Sequence, residues 1–196
     1  MLKNHFPQKP ETHYVIPRRQ NSIPQIHCSV FAEENFFQNQ KEKYFSFPDK
    51  IFISREYLFS PNSRIQALHS FLAEGDIIVG NTAAWVHFGC VPRSNIVPIE
   101  IARRDQKLRN HAKRRRFRDF ELERIDSVEL TSQIRTILDI SKTNLEYGLD
   151  LFFQYLLSSR TPNSLKQLEK DFKRHRSPAK IQEILQQIIA TISQAA

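Results

Sequence analysis

The residues best equipped for chemistry in this chain are cations. From Arg103 to Arg118 the sequence reads RRDQKLRNHAKRRRFR, with nine Lys or Arg and a single acid, Asp105. That window carries a net +8, equal to the formal net charge of the whole 196-residue chain. The remaining residues therefore cancel, and the charge is one concentrated patch on a neutral body. Such a patch suits a polyanion, because each phosphate neutralised by Lys or Arg releases condensed counterions. Arg103, Arg104, Lys107, Arg109, Lys113, Arg114, Arg115, Arg116 and Arg118 are the candidate contacts to nucleic acid or a protein partner. An acidic protein could use the same surface. The plainer reading is a solvated loop leaning on Asp119, Glu121 and Glu123, but three acids cannot neutralise nine bases.

Other chemistries fit less well. His87-x-x-Cys90 and His27-Cys28 supply metal-binding side chains. Zinc sites, however, show two compact pairs, and an adjacent His-Cys is poor chelate geometry, so no metal is expected. A restriction-type nuclease core needs an acid, then an acid-x-Lys on the next strand, to hold a divalent metal. Asp76 and Glu100 offer the acids, but Ala102 stands where the Lys belongs. No P-loop, G-x-S-x-G or H-E-x-x-H occurs. The expectation is a non-enzymatic protein without a cofactor. The alternatives are a decayed restriction-like nuclease and a pure protein-interaction module. Arg135 and Asp139, at i and i+4 of a helical pattern, read as a structural ion pair, with Arg135 pointing inward to hold the strand end at 128–131.

The elements that must position these residues follow from periodicity and punctuation. Residues 1–24 hold four prolines and read as an extended arm, and 29–40 fit a short helix capped by Ser29. Strand-like material over 44–60 precedes Ser60-Pro61, which starts a helix running to Gly75. DIIVG at 76–80 is a short buried strand. Asn81 or Thr82 then caps a helix that Gly89 ends, with Trp85 in the core and His87 bonding the last helix carbonyls. Residues 95–102 and 117–125 both alternate, and read as one hairpin with the basic run as its long connection. Thr131 or Ser132 caps the following helix. Apolar stripes at helical spacing fill Leu149–Leu157, Leu165–Phe172 and Ile181–Ile192.

The expected fold class is α+β: a small mixed sheet with flanking helices over about 44–130, then a helical bundle over about 131–194. Residues 1–43 form an N-terminal arm and 44–196 one folded unit. At 40% hydrophobic and 26% charged residues the composition is that of an ordinary globular protein. Two well-separated cysteines fit reduced thiols in the cytoplasm. The N-terminus has no apolar signal region, and no apolar run approaches the ~18 residues of a membrane span.

Three of these stretches carry a resemblance. GNTAAWVHFG (80–89) resembles the TAA helix of the AbiEi-type antitoxin family of type IV toxin–antitoxin and abortive-infection systems. VELTSQIRTILDISK (128–142) is similar to that family's T-S/T-x-x-R-T-hydrophobic-hydrophobic-D signature. The motif positions are Thr82, Ala83, Ala84, Trp85, His87 and Gly89, then Thr131, Ser132, Arg135, Thr136 and Asp139, to which the resemblance gives structural roles. It implies a cytoplasmic antitoxin-like regulator of transcription, with nucleic acid and a nucleotidyltransferase-type toxin as partners and no membrane association. Family members begin with a winged helix-turn-helix. Residues 1–46 show no clear one, so 1–43 read at most as a degenerate remnant. The tail from Ser164 is similar to a helical segment that precedes a restriction-like nuclease module in long actinobacterial relatives; with the chain ending at Ala196, that module is not expected.

Overall fold

Alternating apolar residues between Ile26 and Thr131 build two small sheets, not one. The computed structural model describes residues 26–27, 42–89, 96–103, 117–158, 170–175 and 179–195. The fold is α+β. Tyr44–Phe47 (β2) and Ile51–Ser54 (β3) pair antiparallel with Phe47 opposite Ile51. The chain reverses between them through Pro48–Lys50, where Asp49 and Lys50 take φ of 59° and 57°. Ile26–His27 (β1) pairs with the other side of β3, so the segment read as an arm contributes a strand. The expected helix at 29–40 lies outside the described residues.

The second sheet has the order β5-β4-β7-β6. Asp76–Ile78 (β4) runs antiparallel to Ile101–Arg103 (β5) and parallel to Val128–Thr131 (β7). Leu122–Ile125 (β6) pairs with β7 through a two-residue turn at Asp126 and Ser127, with Asp126 at φ 55°. This corrects the expected hairpin, since β5 and β6 occupy opposite edges and do not pair. Alternation reports which face a strand buries, not which neighbour it takes. The tight turn gives β6 a partner at a far smaller loop-closure cost than the long basic run would.

Helix starts follow their local chemistry. Ser60 and Ser63 form a reciprocal capping box at the head of Pro61–Leu68 (α1). This helix stops at Leu68, before Gly75, and gives way to a 3-10 turn at His69–Phe71. Asp76 then closes a turn on Ala73 before β4: its amide donates to the Ala73 carbonyl at 3.1 Å, and its Oδ2 accepts from the Ala73 amide at 2.9 Å.

Gly80–Phe88 (α2) begins after Val79, which offers no side-chain cap. Asn81 and Thr82 lie inside its first turn and are not its caps. Glu100 supplies the cap from the neighbouring segment, accepting from the Asn81 amide at 3.3 Å and the Asn81 side chain at 2.7 Å. Gly89 ends α2 in the left-handed conformation, φ 74°. Ser132 caps Gln133–Ser141 (α3), and Leu145–Ser158 (α4) and Ala179–Ala195 (α5) complete the helices with named ends.

Helix α2 is the centre of the molecule, buried from Thr82 to His87. Ala83, Trp85 and Val86 face a core with Phe45, Ile53, Ile65 and Leu130. Ala84 faces a second core with Ile137, Phe152, Phe172 and Leu185. The short alanine side chains let both cores close on one helix. Burying large apolar side chains such as these stabilises the fold by about 1.5–3 kcal/mol each. Among the described residues no helix is long and apolar enough to cross a membrane.

Candidate functional site

The basic run is anchored where its described ends lie. Arg103 sits on β5 opposite Asp76, and its Nε donates to Asp76 Oδ1. Phe117 packs with Leu122 against Ile77, Val79 and Ala102. The run thus leaves and re-enters the fold over one small apolar cluster. Arg118 is exposed; its amide donates to Glu121 Oε2 at 2.8 Å, and its guanidinium carbon stands 5.8 Å from the centre of the Phe120 ring. Arg104, Lys107, Arg109, Lys113, Arg114, Arg115 and Arg116 lie outside the described residues, as do Cys28 and Cys90. The two carboxylates weighed for metal chemistry are engaged in structural bonds. Asp76 holds Arg103 and the Ala73 amide, and Glu100 holds the start of α2. Thr82 steadies that same segment, donating to the Pro98 carbonyl at 2.5 Å and accepting from the Glu100 amide at 2.6 Å.

The two motif stretches meet at one carbonyl. His87 Nε2 donates to the Thr131 carbonyl at 2.7 Å, and Thr136 Oγ1 donates to the same oxygen at 3.1 Å. The Thr131 and Thr136 hydroxyls are 2.8 Å apart, so Thr131 completes the ring by donating to Thr136. His87 therefore does not bond the last carbonyls of its own helix, as its position suggested. Arg64 does: buried at 7% exposure, it donates to the carbonyls of Leu58 and Val86 at 2.8 Å and of His87 at 3.4 Å. Its forked guanidinium reaches several carbonyls at once, and its charge complements the helix C-terminus.

With Nε2 committed as a donor, His87 Nδ1 is a bare lone pair in the neutral ring. Glu123 Oε1 lies 3.1 Å from it, an attractive contact when one proton sits between the two atoms. Burial, opposed by the Thr131 bond, lowers the His87 pKa to about 4, and burial raises that of Glu123.

A second polar cluster surrounds Arg135. Its Nε donates to Asp139 Oδ2 at 2.9 Å, and its Nη1 to Glu121 Oε1 at 2.6 Å. Arg135 thus holds the 3-10 turn Asp119–Glu121, not the strand end at 128–131. Burial works against charge on Asp139, yet Arg135 and Lys142 still bring its pKa below the usual value. Glu121, one of the acids on the polar side of the alternation at 117–125, is 4% exposed; it also accepts from the Arg118 amide and lies 4.0 Å from His175 Nδ1. The His175 side chain is 4% exposed, its Nδ1 has no hydrogen-bond partner, and burial lowers its pKa.

Next to this cluster is a cleft of about 230 Å³, walled by Phe120 of the 3-10 turn, by Glu123 of β6, by the start of α3, by Tyr155 of α4, and by Asp171, Arg174 and His175. Sequence reading missed Arg64, Arg174 and His175 as members of a site. Arg64 lies inside the helix Pro61–Leu68, and Arg174 and His175 in the charged run EKDFKRHR, and only the fold shows what each side chain meets. No family model, no curated protein and no solved structure matches this chain.

Proposed function

We propose that this protein is a non-enzymatic, antitoxin-like regulator that binds nucleic acid through the cationic run from Arg103 to Arg118. The observation that carries the reading is the concentration of the entire net charge of +8 in that run. Its two described ends, at Arg103 and Phe117, lie over one cluster of Ile77, Val79, Ala102 and Leu122. Nine cations within sixteen residues raise the local potential toward a phosphate backbone. Contacts of this kind position the polyanion without reading bases, so low sequence specificity is expected.

The test compares the full chain with an Arg114→Ala, Arg115→Ala, Arg116→Ala variant, using labelled duplex DNA, single-stranded DNA and RNA of equal length. The variant is expected to bind the preferred nucleic acid about tenfold more weakly or worse. Unchanged affinity would overturn the reading and leave an acidic protein as the partner of the run.

A further inference from the structure

The cleft beside Phe120 sets flat rings against hydrogen-bond acceptors. Phe120 and Tyr155 line it, both only partly buried, together with the carboxylates Glu123 and Asp171. Two carboxylates make it a poor place for a phosphate, which they repel. They suit a neutral, planar group that carries N–H donors. An aromatic face takes the plane of such a group, and a carboxylate oxygen accepts from its edge.

The geometry around Phe120 fits that use. The His175 ring stands 5.2 Å from the Phe120 ring at 80°, which holds the ring in place. The Arg174 guanidinium carbon lies 4.9 Å from the Phe120 ring centre, so a flat cation already rests on the ring. Arg174 is exposed, and its 3.9 Å contact with Asp171 is loose enough for the side chain to lift over a second flat group. Glu123 gives Oε1 to His87 at 3.1 Å, and its other oxygen has no hydrogen-bond partner among the described residues. At about 230 Å³ the cleft is below the ~300–1,000 Å³ of drug-sized pockets, a size for one ring system. Arg118, the last cation of the basic run, is 5.8 Å from the centre of the same Phe120 ring, so the run ends at the edge of the cleft.

We propose that this cleft is a subsite for one unpaired nucleobase with an exocyclic amino group: cytosine, adenine or guanine. The base stacks on Phe120 under Arg174, and its amino group donates to Glu123 or Asp171. Thymine and uracil carry carbonyls on both sides of their single ring N–H, and those oxygens would face the carboxylates. That the base belongs to a nucleic acid whose phosphates lie on the run rests on the function proposed above. A free nucleoside would present the same ring, and the experiment separates the two sources.

The neutral nucleosides deoxycytidine and thymidine carry no phosphate, so they probe the cleft without the run. Each is titrated into the full-length protein while the Phe120 and Tyr155 ring resonances are followed. Labelled oligo-dC and oligo-dT of about twelve nucleotides are then titrated into wild type, Phe120→Leu and Arg174→Ala at several salt concentrations. Phe120→Leu keeps apolar bulk against His175 and removes the flat face. Arg174→Ala removes an exposed side chain with little risk to the fold.

The expected result is that deoxycytidine shifts both rings and thymidine does not, and that oligo-dC binds about tenfold more tightly than oligo-dT. Each variant should remove most of that preference, and Phe120→Leu should leave the salt slope set by the run unchanged. Equal binding of the two oligonucleotides, a preference that survives both variants, or rings unmoved by deoxycytidine and oligo-dC alike would overturn the subsite and leave the basic run standing. Rings shifted by deoxycytidine in a chain that binds neither oligonucleotide would keep the base site, assign it to a free nucleoside compound and overturn the nucleic-acid reading.

Discussion

His87 and Thr131 are separated by 44 positions, yet the imidazole of one donates to the carbonyl of the other at 2.7 Å. The bond joins the central helix α2 to the end of β7, just before α3 begins. It also orients the ring, so that Nδ1 faces Glu123 and the cleft beyond it. The contact brings together 80–89 and 128–142, two stretches far apart in the sequence.

Stability should depend on pH through His87. Its folded pKa is about 4 against 6.5 for the free side chain, because burial disfavours the imidazolium. The contribution is fully present above pH 6.5 and is lost as pH falls toward about 4, where the unfolded chain binds a proton that the folded ring refuses. Glu123 acts in the opposite direction: burial raises its pKa, so its contribution is lost as pH rises through the folded value. Urea unfolding at pH 7 and pH 5 should show wild type losing about 2 kcal/mol more on acidification than His87→Gln, whose amide still donates to Thr131 but does not titrate. Equal losses would show that the ring is not held neutral.

Gly80 and Glu100 should be energetically coupled. Gly80 has φ +57°, and a Cβ there would lie 1.8 Å from Glu100 Oε2. The left-handed backbone alone costs an alanine roughly 1–2 kcal/mol, and the clash adds to it. In a double-mutant cycle the penalty of Gly80→Ala should shrink in a Glu100→Ala background, by at least about 0.5 kcal/mol. Additive effects would mean that the carboxylate does not press on the helix start.

Arg135 should matter more as half of a pair than the pair matters as a whole. Arg135→Met strands Glu121, whose side chain is 5% exposed, and should cost about 3–5 kcal/mol in chemical denaturation. Adding Glu121→Met removes the stranded charge and should recover part of that loss. A double variant less stable than the single one would contradict this account of the cluster.

Punctuation and burial were legible in the sequence, and pairing was not. Ser60-Pro61, Ser132 and Gly89 mark helix ends because each acts on its own backbone within a few residues. The strand edges depended on a choice between partners. Ile125-Asp126-Ser127-Val128 held the signal for a tight turn, two polar residues between alternating runs, and it won over the longer connection. The buried polar side chains were hidden for another reason. Glu121 and His175 are ordinary surface types by composition, and only the fold, which sets Arg135 of α3 and His175 against the 3-10 turn Asp119–Glu121, buries them.

The central claim is that the cationic run binds phosphates, and the salt dependence of binding tests it most directly. Anisotropy titrations of duplex DNA between about 50 and 200 mM salt should give a log–log slope of about −5, the value for roughly six neutralised phosphates. A slope near zero, or no binding at the lowest salt, would contradict it.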